Sequence, residues 1–315
     1  MLNDTIADAS SQLLPTHIGA NVWIGERQIS QILSLEIKQV HAGHNTLQLR
    51  FFHDQVQDEG TLMFNGAEQM LGQVAEVIID DRNKTGKELK NIFIVTRVSF
   101  DHNAMNEGII ILEAAAPTIV LDGAPHYESF YQSSLSNIAK TVCRPLDKVK
   151  SKVNAQPTVD GSISYVCRYG ESSWNFLKRL SAETGQWLYF SGSELVFGQA
   201  GSTQSSDLVY GQNCYKLAMS MQARPVQSGY FDYNAPDNEG LSQAANSETD
   251  MADSDRGFAF GKAKNIYGEE SYTHPAALPA DAQLLSHIGK GKANTVAADL
   301  YAISGESTIK NAPLR

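Results

Sequence analysis

A mainly β chain with an α+β unit in its middle is the fold class that this sequence predicts, on three observations. Six stretches before residue 116 have strand composition, with polar turns between them. From residue 165 to 197 (YVCRYGESSWNFLKRLSAETGQWLYFSGSELVF) a strand, a capped helix and a hairpin follow one another without a break. Helical segments are few. Many strands, turn residues and few helices fit an antiparallel barrel or sandwich, and a barrel leaves no exposed strand edge.

The first unit, residues 1–125, takes its strands at 20–24, 31–40, 46–53, 73–80, 91–100 and 108–115, with Ala42-Gly43-His44-Asn45 and Asn83-Lys84-Thr85-Gly86 among the turns. These stretches have strand-like composition.

The second unit spans residues 126–198. A short helix is expected at 135–142. Tyr165, Cys167 and Tyr169 alternate with Val166 and Arg168, the two-residue period of a strand with one buried face, and Gly170 is expected to stop it. Ser172 or Ser173 can accept a hydrogen bond from an orphan amide at a helix start. Trp174, Leu177 and Leu180, with Phe176 beside Leu180, then form an apolar stripe at helical spacing, and Gly185 can end the helix in a left-handed conformation. Residues 187–190 and 195–197 are the strands of a hairpin around Ser191-Gly192-Ser193.

The third unit is residues 199–315. Strands are expected at 207–210, 215–222 and 228–233. Residues 235–256 have no apolar periodicity and six acidic residues against one basic, which predicts a long mobile acidic loop. Helical residues return from 280 to 302, where Gly289 and Gly291, flanked by Lys290 and Lys292, can split the helix in two.

The order of strand, Glu-Ser helix, glycine and aromatic hairpin in residues 165–197 resembles the VgrG-type spike proteins of type VI secretion and the baseplate hubs of contractile phage tails. NIFIVTR (91–97), GIIILE (108–113), residues 119–122 and SSLSNIAKTVC (133–143) follow the same family order of strand, strand, turn and short helix. The resemblance covers roughly residues 30–315, and the order of elements carries it. It implies two antiparallel barrels per chain around a small α/β unit, the second barrel beginning in residues 199–315. It also implies a homotrimer whose ring has pseudo-sixfold symmetry. In this family further strands, a collar and a β-helical spike follow the place where Pro313-Leu314-Arg315 stands, so the chain is expected to be a fragment lacking that spike and any effector carried behind it.

Composition restricts the function classes. With 42% hydrophobic and 19% charged residues in 315, the chain can bury a sizeable core. Its net charge of -10 disfavours nucleic acid and anionic lipid as partners. The nearest approach to a basic run, residues 140–152 with Arg144, Lys148 and Lys150, reads as a solvated turn. No apolar stretch approaches the ~20 residues of a membrane span, and residues 1–14 do not read as a secretory signal. Cytoplasmic assembly is the expectation, followed by export as part of an ejected particle. Cys143, Cys167 and Cys214 are odd in number and widely spaced, which argues against a disulfide framework and predicts reduced core residues.

Chemistry is sparse. The chain has neither a G-x-S-x-G nucleophile elbow nor an H-E-x-x-H zinc motif. GFAFGKA (257–263) has three residues between its glycines where a phosphate loop has four, and Ala263 stands where a magnesium-binding Ser or Thr is needed. His41, His44 and His53 lie at a turn and its flank, where their spacing gives no shared helix face for a metal. Asp80-Asp81 and Glu269-Glu270 are sequence neighbours that point apart on a strand, a poor pair for glycoside hydrolysis. Asp101-His102 has no partner nucleophile in view. Trp174, Trp187 and Tyr189 read as core aromatics before they read as a sugar-stacking face.

The expectation is therefore a structural hub and not an enzyme, with no catalytic, cofactor-binding or metal residues. Its implied partners are two further copies of itself, a tail-tube ring protein, baseplate proteins, and a spike tip with its effectors. The alternatives are a tail-associated cell-wall hydrolase and a carbohydrate-binding or adhesin module.

Overall fold

In the computed structural model the described residues are 18–56, 65–81, 88–102, 108–158, 160–201, 209–211, 214–234, 238–244, 255–274, 278–279 and 282–307. The architecture is mainly β with an α+β middle, as the sequence predicts.

The first sheet is built from β1 (Ile18–Ile24), β2 (Arg27–Ile29), β3 (Ile32–Lys38), β4 (Thr46–Phe52), β5 (Val74–Asp81), β6 (Leu89–His102) and β7 (Gly108–Ala115), with a single-turn helix α1 (Asn65–Glu68) between β4 and β5. Strand order is β2-β1-β5-β6-β7-β4-β3, antiparallel throughout, and the sheet curls into a half-barrel. All six expected strands are present. β2 was not expected, because Arg27-Gln28-Ile29 is too short and polar to show a period; the turn before it, with Gly25 at φ 60°, folds it back on β1. Along β4, Leu47, Leu49 and Phe51 point inward, and they join Val22, Val77, Phe93, Val95, Ile110 and Leu112 in one core. Each such side chain contributes about 1.5–3 kcal/mol by leaving water. The expected turn at residues 83–86 lies outside the described residues.

The middle of the chain forms β8 (His126–Ser134), α2 (Leu135–Val142), β9 (Lys152–Gln156), β10 (Ser162–Glu171), α3 (Ser173–Thr184), β11 (Trp187–Phe190) and β12 (Glu194–Gly198). Ser134 caps α2 by accepting from the Asn137 amide, and Ser172 caps α3 by accepting from Asn175. Gly170 does not end β10. At φ 64° it makes a bulge, and pairing with β8 resumes at Glu171. The Arg179 guanidinium then ties α3 back to β10, donating to Glu171 at 2.9–3.3 Å and to the Cys167 carbonyl at 2.8 Å. β11 and β12 form the expected hairpin, and β12 adds β9 in parallel.

The rest of the chain contributes β13 (Cys214–Met221), β14 (Ser228–Asn234), β15 (Glu239–Ala244), α4 (Asp255–Ile266), β16 (Ser271–Thr273), β17 (Leu278–Pro279), α5 (Ala282–Leu300) and β18 (Tyr301–Ser307). Two expectations change here. Within residues 235–256, Glu239–Ala244 pairs in full register with β14, because backbone hydrogen bonding to a preformed strand needs no apolar period. The expected strand at 207–210 falls largely outside the described residues. The second change is that α5 runs unbroken through Gly289 and Gly291. Gly291 is buried against Gly185 at the end of α3, so close that a Cβ built on it would lie 2.5 Å from the Gly185 Cα. The glycine is there for a close backbone crossing, and its helix penalty of about 1 kcal/mol is offset by that packing. Leu284, Leu285 and Ile288 of α5 share one core with Trp174, Phe176, Leu177 and Leu180 of α3, and β17 extends the β10–β8 sheet.

Candidate functional site

Three of the polar residues named in the sequence, His44, Asn45 and Ser172, serve the joint between the half-barrel and the middle of the chain. In the β3–β4 turn, His44 places Nδ1 2.8 Å from the Thr118 hydroxyl and Nε2 3.1 Å from Asp122 Oδ2. Ser172 donates to Asp122 Oδ1 at 2.7 Å while accepting from the Asn175 amide. The ring of His44 packs on the buried Trp174 with centroids 4.4 Å apart. Asn45, fully buried, donates to the Phe190 carbonyl at 2.8 Å and accepts from the Val40 amide. Serine, aspartate and histidine thus meet, but the carboxylate lies between the other two, so the histidine has no serine proton to take and the group is a weld.

Burial pushes the Asp122 pKa up, but the hydrogen bond from Ser172 and the neighbouring His44 outweigh it, and the net value lies below 3.8. The ionised carboxylate therefore stabilises the fold above the unfolded-state pKa, and that contribution is lost as pH falls through the lower folded-state value. Ser172→Ala is expected to cost about 1–2 kcal/mol at neutral pH by removing a cap and a hydrogen bond to a charge. Denaturant melts should show part of that deficit vanishing as pH falls through the lowered folded-state value, where Asp122 takes up its proton.

The other candidates lie apart. His53 faces the Gly108 carbonyl and His41 lies edge-on to Trp187, so the three histidines do not converge. Among the described residues no three His, Cys, Asp or Glu side chains lie close enough to hold a metal. Asp101 and His102 sit on the exposed end of β6, where the Asp101 carboxylate accepts from the His102 amide. Asp80 and Asp81 pair with Gly19 and Ile18 along β1, and Glu269 and Glu270 are exposed. GFAFGKA lies inside helix α4 and not in a loop that joins a strand to a helix, so it does not form a phosphate loop. All three cysteines are free: Cys143 and Cys214 are buried, and desolvation, with Asp147 nearby, pushes the Cys143 thiol up to about 12. Cys167 departs from the core expectation, being only half-buried on the outer face of β10. Trp187 departs too, for the residue is 52% exposed; β11 turns Leu188 and Phe190 inward and so presents Trp187 and Tyr189 outward.

What the residue-by-residue search for chemistry missed are two surfaces. β13 and β18 form a two-stranded ribbon in which Met219 faces Ile303 and Met221 faces Tyr301, with Leu217 beside them. Met219 and Ile303 are 62% and 61% exposed. The other face is polar, joined by the Lys216–Glu306 ion pair at 2.6 Å. The period-2 apolar pattern of a half-buried strand is therefore present, with no described residue covering its apolar side. The alternation Tyr215, Leu217, Met219, Met221 is the signal that marks it in the sequence. The second surface is the outer face of β8 and β10, where Tyr131 stands opposite Tyr165 and Tyr127 opposite Tyr169, all exposed. Tyrosine is enriched where proteins meet.

A family model described as phage tail baseplate hub (GPD) matches residues 64–284. The fold is similar to the 43 kDa tail protein of prophage MuSo2 from Shewanella oneidensis, with a TM-score of 0.61 at 15% identity over 93% of this chain and 83% of that one. It is equally similar to a tail protein from Neisseria meningitidis MC58, with a TM-score of 0.60 at 12% identity over 91% and 79% of the two chains. No curated protein matches this chain in sequence.

Proposed function

This chain belongs to the phage tail baseplate hub family, and from that premise we propose that it forms a homotrimeric ring that adapts a sixfold tail tube to a threefold spike. The family is a structural component of the tail and not an enzyme family. The apolar face of the β13–β18 ribbon is the observation that supports the ring. A two-stranded ribbon is marginal alone, and Leu217, Met219, Met221 and Ile303 can leave water only against another surface. A closed ring of identical copies supplies one for every subunit. We read residues 1–125, 126–198 and 199–315 as the three units of the subunit. Its further partners in this reading are a tail-tube ring protein, baseplate proteins, and a spike tip that carries effectors. Assembly takes place in the cytoplasm and the chain leaves with the injection particle.

Light scattering on the purified chain, with negative-stain class averages of the same peak, tests the ring. Three times 34.4 kDa in a ring-shaped particle is the expected result. A particle of 34.4 kDa at micromolar concentration would overturn the homotrimer for these 315 residues.

A further inference from the structure

A pocket of about 450 Å³ opens where the turn after β3 meets the β11–β12 hairpin. It lies within the range of small-molecule sites, and such sites favour junctions between structural units. Trp187 and Tyr189 stand on the same face of β11 and line it, with His41, Gln39 and Ser191 among the residues around them. Among the described residues, none that lines it is Asp, Glu, Lys or Arg, in a chain with 35 acidic and 25 basic residues.

We propose that this pocket binds an uncharged pyranose ring, its C–H face laid on the exposed Trp187 indole and its hydroxyls reaching His41 and Gln39. Neutral walls exclude a charged sugar, which would lose hydration and find no counter-charge. The half-exposed indole supplies a flat apolar surface, the part of the site that a C–H face covers. A hydrocarbon would leave the polar groups of the lining unmatched. His41 makes no hydrogen bond to another described residue, and the Gln39 amide gives only its nitrogen, to Asn91. Burial lowers the His41 pKa below 6.5, so at neutral pH its uncharged ring offers one donor and one acceptor, the complement of a hydroxyl. The site is independent of the ring proposed above, since none of its lining residues belongs to the β13–β18 ribbon.

The test is saturation-transfer NMR on the full chain with maltose, cellobiose and N,N′-diacetylchitobiose, beside glucuronate and indole as charged and hydrocarbon probes. At least one neutral sugar is expected to bind in the range of about 1 mM, typical of a weak single-ring site. Its C–H protons should receive the transfer, and glucuronate should stay silent. Trp187→Ala is expected to weaken that binding at least about tenfold, while Trp23→Phe, in the half-barrel, leaves it unchanged. Because Trp187 is half outside the core, circular dichroism should show the variant folded; Tyr189→Ala provides a second reading of the same surface. No neutral sugar binding up to about 20 mM, where a site of this strength would be nearly saturated, would overturn the proposal. So would binding that survives both substitutions, or binding of indole alone.

Discussion

Gly185→Ala is expected to destabilise the chain by about 2–5 kcal/mol, because two costs fall on one methyl group. Gly185 sits at φ 64°, where a Cβ costs roughly 1–2 kcal/mol. The same Cβ would lie 2.1 Å from the Gly291 Cα, and overpacking of that kind costs a further ~1–3 kcal/mol. Neither backbone can yield cheaply, since α3 and α5 also share the Leu177, Leu180, Leu284 and Ile288 core. Gly291→Ala is the more discriminating partner experiment. Helix propensity alone would favour the alanine by about 1 kcal/mol, whereas a Cβ 2.5 Å from Gly185 makes the net change unfavourable. Urea denaturation of both variants checks this, and a stabilised Gly291→Ala would show that the two helices do not cross as described.

Met219→Lys combined with Ile303→Glu is expected to convert the proposed ring into single chains. The two residues face each other across the ribbon, so the new charges pair with one another and the strands stay together. The outward face, however, exchanges two apolar side chains worth about 1.5–3 kcal/mol each on burial for two charges that cannot be buried cheaply. A loss of about 4 kcal/mol per interface is roughly a thousandfold in association. Scattering mass should fall to 34.4 kDa with unchanged circular dichroism. Lys216→Ser, on the polar face, should leave the mass alone. A double variant that keeps the wild-type mass would move the interface elsewhere, and the tyrosine face of β8 and β10 would be the next surface to change.

The amino-acid sequence by itself determined the elements whose signals are local. Residues 165–197 carried a strand period, a serine cap, a helical stripe, a left-handed glycine and a turn cluster, and each appears where the local chemistry puts it. The six main strands of the half-barrel were legible from their β-rich composition between polar turns. What depended on distant partners was not legible. β15 exists because β14 offers it hydrogen bonds, and β17 because β10 does. α5 survives two glycines because Gly185, more than a hundred residues earlier, leaves room for Gly291. Trp187 looked like core because its residue type said so, while the register of β11 turned it outward. His44, Asp122 and Ser172 looked unrelated along the chain, and only folding made them one weld. A local pattern can state that a side chain will be buried or a backbone turned; which surface does the burying is a property of the three-dimensional neighbours, and tertiary structure alone supplies it.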